Sequence, residues 1–243
     1  MGLRFRLWPI VLAGAALSHA AVAGTLQVSP IVLELQAGES AAGMTLRNPG
    51  MQPLYGQVRV FRWDQVDGED SLESTPELVA SPPFVELGPQ STQLVRLIRI
   101  ASSAVAGEQS YRVLVDELPA PADGALRGVM IRLRYSVPVF IEPPGAAGEP
   151  KLSWHLLRSG DQWFVRVENT GTRRAQVAAA ELVDGSAKPY VVTKGLLGYV
   201  LAGRGRQWPV TLPATAGLQG GVKARALVNS RSMEAAVDVQ AAR

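Results

Sequence analysis

The sequence has no cysteine and only two histidines, His19 and His155, and just 6% of it is aromatic. Without cysteine there can be no disulfide, no thiolate metal site and no cysteine nucleophile. One histidine outside the N-terminal segment cannot build a multi-histidine metal centre, and it confines any Ser-His-Asp chemistry to His155. Lysine is also scarce, with 4 Lys against 20 Arg. Helical periodicity is nearly absent after residue 24, and beyond that point no apolar run approaches the ~20 residues needed to cross a bilayer. These gaps count against the commonest enzyme chemistries. The expectation is a protein with no catalytic constellation, no cofactor and no metal.

What is present is a substantial apolar fraction, 47% of 243 residues, with 19% charged, 24 Gly and 17 Pro. That suits one large domain or two ordinary ones, each able to bury a core. The N-terminus, residues 1–23, reads as a secretory signal peptide. Arg4 and Arg6 start it, Leu7 to Leu17 is its apolar centre, and Ala21-Val22-Ala23 supplies the small-residue cleavage pattern. Export to the periplasm follows as an expectation. Without that segment the formal charge is +1, divided as −5 over residues 24–142 and +6 over 143–243. A nearly neutral chain with no interleaving of basic and aromatic residues is not patterned as a nucleic-acid binder.

Short runs of alternating apolar and polar residues, interrupted by Gly, Pro, Asn or Asp, predict antiparallel strands packed as sandwiches. In the first half these are Leu26–Leu35, Met44–Asn48, Gln57–Trp63, Leu94–Ile100, Tyr111–Leu118 and Val129–Ile141, with a further element near Pro82-Pro83 and a turn at Asn48-Pro49-Gly50. A Pro- and Gly-rich stretch, 143–150, breaks the pattern and predicts a linker between domains 24–142 and 151–243. Beyond it come Lys151–Leu157, Trp163–Glu168, Ala175–Leu182, Tyr190–Thr193, Arg206–Leu212, Val222–Val228 and Met233–Val239. The fold class is therefore all-β, two tandem immunoglobulin-like β-sandwich domains.

The segment from Val129 to Ile141 has an apolar residue at every odd position and Arg132, Arg134 and Ser136 among the even ones. Side chains alternate across a strand, so one face is a continuous apolar row. An ordinary core strand has the same periodicity. The predicted length of 13 residues exceeds the usual five or six, and a final strand of a sandwich often lies at an edge, where it can recruit another chain.

In order and spacing, Val28-Ser29-Pro30-Ile31, Leu46-Arg47-Asn48-Pro49-Gly50, Val58-Arg59-Val60-Phe61-Arg62-Trp63, Ser81-Pro82-Pro83, Gln93-Leu94-Val95-Arg96-Leu97, the run Tyr111 to Pro119 and Arg134-Tyr135-Ser136-Val137-Pro138-Val139-Phe140 resemble a periplasmic pilus-assembly chaperone of the PapD-like family, in its alternative or archaic chaperone–usher branch. The resemblance is weaker after residue 150. It implies a boomerang of two immunoglobulin-like domains and no enzymatic activity. Its implied partners are pilin subunits and an outer-membrane usher. Val129, Ile131 and Leu133, with Tyr135 adjoining, then correspond to the row donated to a subunit that lacks a strand. Better-known members anchor the subunit carboxylate with an Arg and a Lys, where this sequence has Val32 and Pro138. A buried carboxylate still requires a cation, and Arg134, then Arg132 and Arg112, with Arg96 and Arg99 behind them, are the candidates. A donor edge also raises the prospect of a self-capping homodimer.

The remaining features read as structural. Asp116 and Glu117 point to opposite faces of a strand, which favours a link to an arginine over acid–base work. Trp154, Trp163 and Trp208 are assigned to the second core and Trp63 to the first. His155, with no partner by spacing, is assigned to the surface or to packing, and Gly195, Gly198, Gly203 and Gly205 to loops. A secreted immunoglobulin-like adhesion or carbohydrate-binding module would also fit tandem sandwiches, but it does not account for the long alternating strand before the linker. A pilus subunit would be about one domain long and would lack a complete strand set.

Overall fold

Alternating burial takes the chain through eighteen strands and, among the described residues, no helix. The computed structural model describes residues 26–100, 107–119, 132–145, 148–213, 218 and 221–240. The first sandwich contains β1 (Gln27–Ser29), β2 (Leu33–Leu35), β3 (Ala41–Arg47), β4 (Leu54–Val66), β5 (Glu69–Ser74), β6 (Leu78–Ser81), β7 (Phe84–Leu87), β8 (Thr92–Arg99), β9 (Gln109–Leu118) and β10 (Arg134–Ile141). The second contains β11 (Leu152–Ser159), β12 (Gln162–Asn169), β13 (Ala175–Val183), β14 (Pro189–Val191), β15 (Leu196–Val200), β16 (Gly205–Val210), β17 (Lys223–Val228) and β18 (Arg231–Gln240).

In the first sandwich a sheet in the order β1-β3-β8-β6 faces one in the order β2-β10-β9-β4-β5, with β7 paired to β4. Inward residues such as Met44, Leu46, Val95, Leu97, Val113, Val115 and Val139 are all fully buried between them. Outward neighbours such as Arg96 stay exposed, as the two-residue period requires. The single strand expected over Leu26–Leu35 is in fact two. Pro30 has no N–H to give a ladder, and the chain there leaves one sheet for the other. β1 pairs antiparallel with β3, whereas β2 pairs parallel with β10. The second sandwich uses the same device without a break. β18 pairs antiparallel with β17 as far as Ala236 and then parallel with β11 from Val237.

Several other expectations are corrected. β5, β6 and β7 were not separately legible because β5 is polar and mostly exposed and β6 and β7 are only four residues each, on either side of Pro82-Pro83. Gly198 lies within β15 and Gly205 opens β16, so neither is a loop glycine. Gly198 sits at φ 154° with the Trp208 ring 3.0 Å from where a Cβ would be, which leaves no room for a side chain. The strand expected over Val129–Ile141 is described only from Arg134. Val129, Met130 and Ile131 lie outside the described residues, and Arg132 and Leu133 precede the ladder. Trp154 does occupy the second core, with Trp163 and Trp208 packed on its border, but Trp63 leaves the first core for the seam between the domains. His155 has partners after all, with Nδ1 3.4 Å from Asp238 and Nε2 4.0 Å from Glu168.

Each sandwich is closed by a buried asparagine in an Asn-x-Gly turn. Asn48 Nδ2 donates to the carbonyls of Gln52 (2.7 Å), Leu87 (3.0 Å) and Gly88 (3.0 Å), and its Oδ1 accepts from Gly50 N (2.9 Å). Asn169 Nδ2 donates to Arg173 O (2.7 Å) and Val200 O (3.2 Å), while its Oδ1 accepts from Gly171 N and Lys151 N (both 3.0 Å). A Cβ on Gly171 would lie 2.2 Å from Glu149 O, so only glycine fits that turn. A buried polar group left unsatisfied costs roughly 1–3 kcal/mol, and each asparagine satisfies several at once. Asn48→Ala and Asn169→Ala are each expected to lower the unfolding free energy by about 3 kcal/mol in urea titrations.

Candidate functional site

β10 has two different environments along its length. On one side it pairs with β9 throughout, from Arg134 opposite Asp116 to Ile141 opposite Gln109. On the other side β2 covers only Val139–Ile141. From Arg134 to Pro138, no described residue pairs with that second edge. Val137, Val139 and Ile141 turn into the first core, so this part of the odd-numbered apolar row belongs to the domain itself. Leu133 is 36% exposed and keeps one ladder-like bond, its carbonyl accepting from Glu117 N at 3.1 Å. The Tyr135 ring packs against the first core and its hydroxyl donates to Leu26 O.

The even-numbered side of β10 is exposed at Arg134 and Ser136 and meets the second domain at Phe140. Phe140 is fully buried in a cluster with Trp63 of β4 and with Tyr199 and Leu201 of the second domain. Ring centroids lie 5.9 Å apart for Trp63–Phe140, 5.7 Å for Trp63–Tyr199 and 5.6 Å for Phe140–Tyr199, tilted or edge-on as aromatic quadrupoles favour. Gln65 adds a two-way link across the seam, donating to Tyr199 O at 2.8 Å and accepting from Leu201 N at 3.0 Å. The outer ion pairs Arg204–Asp64 (2.5 Å) and Arg206–Glu69 (2.5 Å) are largely exposed on the acidic side, so each is worth no more than about 1 kcal/mol. The aromatic cluster and Gln65 therefore dominate this half of the seam.

The three arginine candidates are placed differently. Arg134 is exposed and its guanidinium is taken by Asp116, which Arg59 also holds at 2.7 Å. Burial pushes the Asp116 carboxyl up, but the hydrogen bonds from Arg134 and Arg59 outweigh this and hold it below the ordinary 3.8. Arg132 is exposed beside Arg134 in an open groove with Gln57, Arg59 and Glu117. Arg112 stands opposite Pro138, where the free edge stops. Its guanidinium carbon stacks 3.7 Å from the Trp63 ring centroid and 5.8 Å from that of Tyr199. It is half-buried and donates to no acceptor among the described residues. Burial lowers its pKa, opposed by Asp70 and Tyr199. Asp70 is already engaged, accepting from Trp63 Nε1 and Gln65 Nε2 at 3.0 Å each. A stacked, partly desolvated guanidinium without an acceptor is equipped to receive a carboxylate.

Sequence reasoning missed the seam. Its one available signal was the unbroken apolar run Pro138-Val139-Phe140-Ile141, since a strand that is apolar on both faces is covered on both. Asp116 does bind arginines, as expected of it, and Glu117 accepts from Leu26 N at 3.2 Å.

The fold and this edge define a tandem immunoglobulin-like protein whose last strand in the first domain is half-paired beside an aromatic seam that carries Arg112. A scan of protein families matches residues 25–147 to the pili and flagellar-assembly chaperones, PapD N-terminal domain. The chain belongs to that family, which is a chaperone family and not a family of enzymes. Among solved structures it is similar to the CsuC–CsuE chaperone–tip adhesion subunit pre-assembly complex from archaic chaperone–usher Csu pili of Acinetobacter baumannii, at 23% identity and TM-score 0.69 over 89% of this chain and 100% of that one. The E. coli chaperone DraB matches at 20% identity and TM-score 0.59 over 88% of this chain and 97% of its own. The Salmonella enterica SafA pilin–SafB chaperone complex matches at 17% identity and TM-score 0.60 over 88% and 96%. No curated protein sequence matches.

Because the folded-state pKa of Asp116 is depressed, the stability it contributes is present above the unfolded value and is lost as pH falls through the lower, folded one. In a carboxyl NMR titration Asp116 should titrate below 3.8 and move upward in Arg134→Ala.

Proposed function

We propose that this chaperone binds and stabilises pilin subunits by donor-strand complementation and delivers them to an outer-membrane usher for pilus assembly. The observation that carries the reading is the half-open edge of β10, free over Arg134–Pro138 and closed by β2 from Val139. A strand added to this edge must stop where β2 begins, and Arg112 is opposite that stop. Main-chain hydrogen bonds supply the generic attachment, and alternate side chains of the segment leading into β10 fill the subunit's exposed groove. Val129, Ile131 and Leu133 are the donated row, with Tyr135 at its inner end. Each fully buried aliphatic side chain contributes roughly 1.5–3 kcal/mol before ordering costs, so three can hold an unfinished sandwich without nucleotide hydrolysis.

Arg112 is the preferred carboxylate anchor because Arg134 already has Asp116, with Arg132 and Arg134 flanking the outer part of the edge. The absence of the Arg and Lys pair at Val32 and Pro138 favours the archaic branch. Residues 1–23 serve as a cleaved signal peptide that delivers the chain to the periplasm. Residues 24–142 form the subunit-binding domain and 143–150 the linker. Before a client arrives, two copies can cap one another's free edges.

Co-expression in a periplasm with a candidate pilin subunit tests the reading. The subunit is expected to accumulate only when this chain is present. Leu133→Asp and Arg112→Ala should each lower the recovered complex at least tenfold while leaving the melting temperature of the free protein within a few degrees. Normal recovery with both variants would overturn the assignment.

A further inference from the structure

We infer that Arg174, reaching across from the second domain, is a positioning residue that pins β2 on β10 and so determines where an added strand must end. The inference rests on the strand-addition reading above and extends it to a residue that touches neither the free edge nor Arg112.

β2 is a three-residue strand at the end of its sheet, and among the described residues β10 is its only ladder partner. Leu33 and Leu35 bury into the first core and hold β2 to the sandwich. They do not settle its register. A one-residue slip would turn both leucines to the wrong face, but a two-residue slip would keep the alternation intact. Such a slip would move the end of the free edge by two residues, from Pro138 to Ser136 or Phe140.

Glu34, between the two leucines, points the other way and forms an ion pair with Arg174. In the parallel register Glu34 lies opposite Phe140, and the Arg174 guanidinium carbon stacks 3.7 Å from the Phe140 ring centroid. The same guanidinium pairs with Glu108, which immediately precedes β9. One side chain thus engages β2, β10 and the entry to β9 at the closed end of the edge. Arg174 is itself well held, 6% exposed, its N–H donating to Glu108 Oε1 at 3.0 Å and its carbonyl accepting from Asn229 Nδ2 at 3.1 Å. The forked guanidinium can serve two carboxylates at once, which a lysine ammonium cannot do with the same geometry.

Removing Arg174 would strand Glu108, whose side chain is 2% exposed, so Arg174→Ala confounds positioning with folding. Glu34→Ala is the diagnostic variant, because Glu34 is half-exposed and its loss leaves the Arg174–Glu108 pair in place. In the free protein, amide hydrogen exchange at Leu33–Leu35 should accelerate at least tenfold in Glu34→Ala, with β3 and β8 unchanged. The chain has no cysteine, so Ser136→Cys on the exposed side of β10 gives a clean cross-linking probe. It is paired with a co-expressed pilin subunit carrying single cysteines at successive positions near its C-terminus. One dominant cross-link is expected in the wild-type background, spreading to positions two residues away in Glu34→Ala. A cross-link pattern and exchange rates unchanged by Glu34→Ala would overturn the positioning role. Faster exchange in Glu34→Ala without any cross-link in either background would instead overturn strand addition, leaving the hold of Arg174 on β2 intact.

Discussion

A strand that is paired on both sides for part of its length and on one side for the rest imposes a boundary inside a single element. In β10 that boundary falls between Pro138 and Val139, and it exists because β2 is only three residues long. A β2 that continued to cover Arg134–Pro138 would leave an ordinary closed sandwich. Without β2 the edge would run to Ile141 and have no defined end. Backbone N–H and C=O groups on an unpaired edge demand partners, so such an edge is either protected or used.

The seam between the domains gives that boundary its chemistry. Trp63, Phe140 and Tyr199 form an aromatic contact that anchors the domains and also supplies the ring on which Arg112 stacks. Each nearby carboxylate has another partner. Asp70 is engaged by Trp63 and Gln65, Asp116 by Arg59 and Arg134, and Glu108 by Arg174. Burial pushes the Glu108 carboxyl up, against the pull of Arg174. Among the described residues Arg112 is left with an aromatic face and no acceptor, a half-buried cation where the free edge stops.

Legibility differed between the two sandwiches and the seam. Strands such as β8 and β12 read directly, because one face is buried and the other wetter and the period of two survives in the letters. β5 did not, since a polar, exposed strand carries no such contrast, and β7 keeps the alternation over only four residues. The split of Leu26–Leu35 into β1 and β2 was hidden because both halves keep the alternation and only Pro30 marks the change of sheet. Asn48 read as a turn residue, and Asn169 opens the same Asn-x-Gly pattern. Nothing in a turn motif announces that each is buried and ties several backbone groups together.

The sequence put Arg134 ahead of Arg132 and Arg112 on strand parity alone, with nothing to say which carboxylates each would meet. Tertiary structure separated them by giving Asp116 to Arg134 and a tryptophan face to Arg112, both consequences of which strands lie side by side. Arg174 was invisible as a functional residue, because its partners Glu34 and Glu108 are 140 and 66 positions away. The sequence by itself determined the all-β class, the tandem sandwiches and the family, since these follow from periodicity, breakers and ordered motifs within a few residues of one another. Only the tertiary structure decided where the edge of β10 closes and which cation stands at its end. Those depend on contacts between residues far apart in the chain, and local patterning carries no record of them.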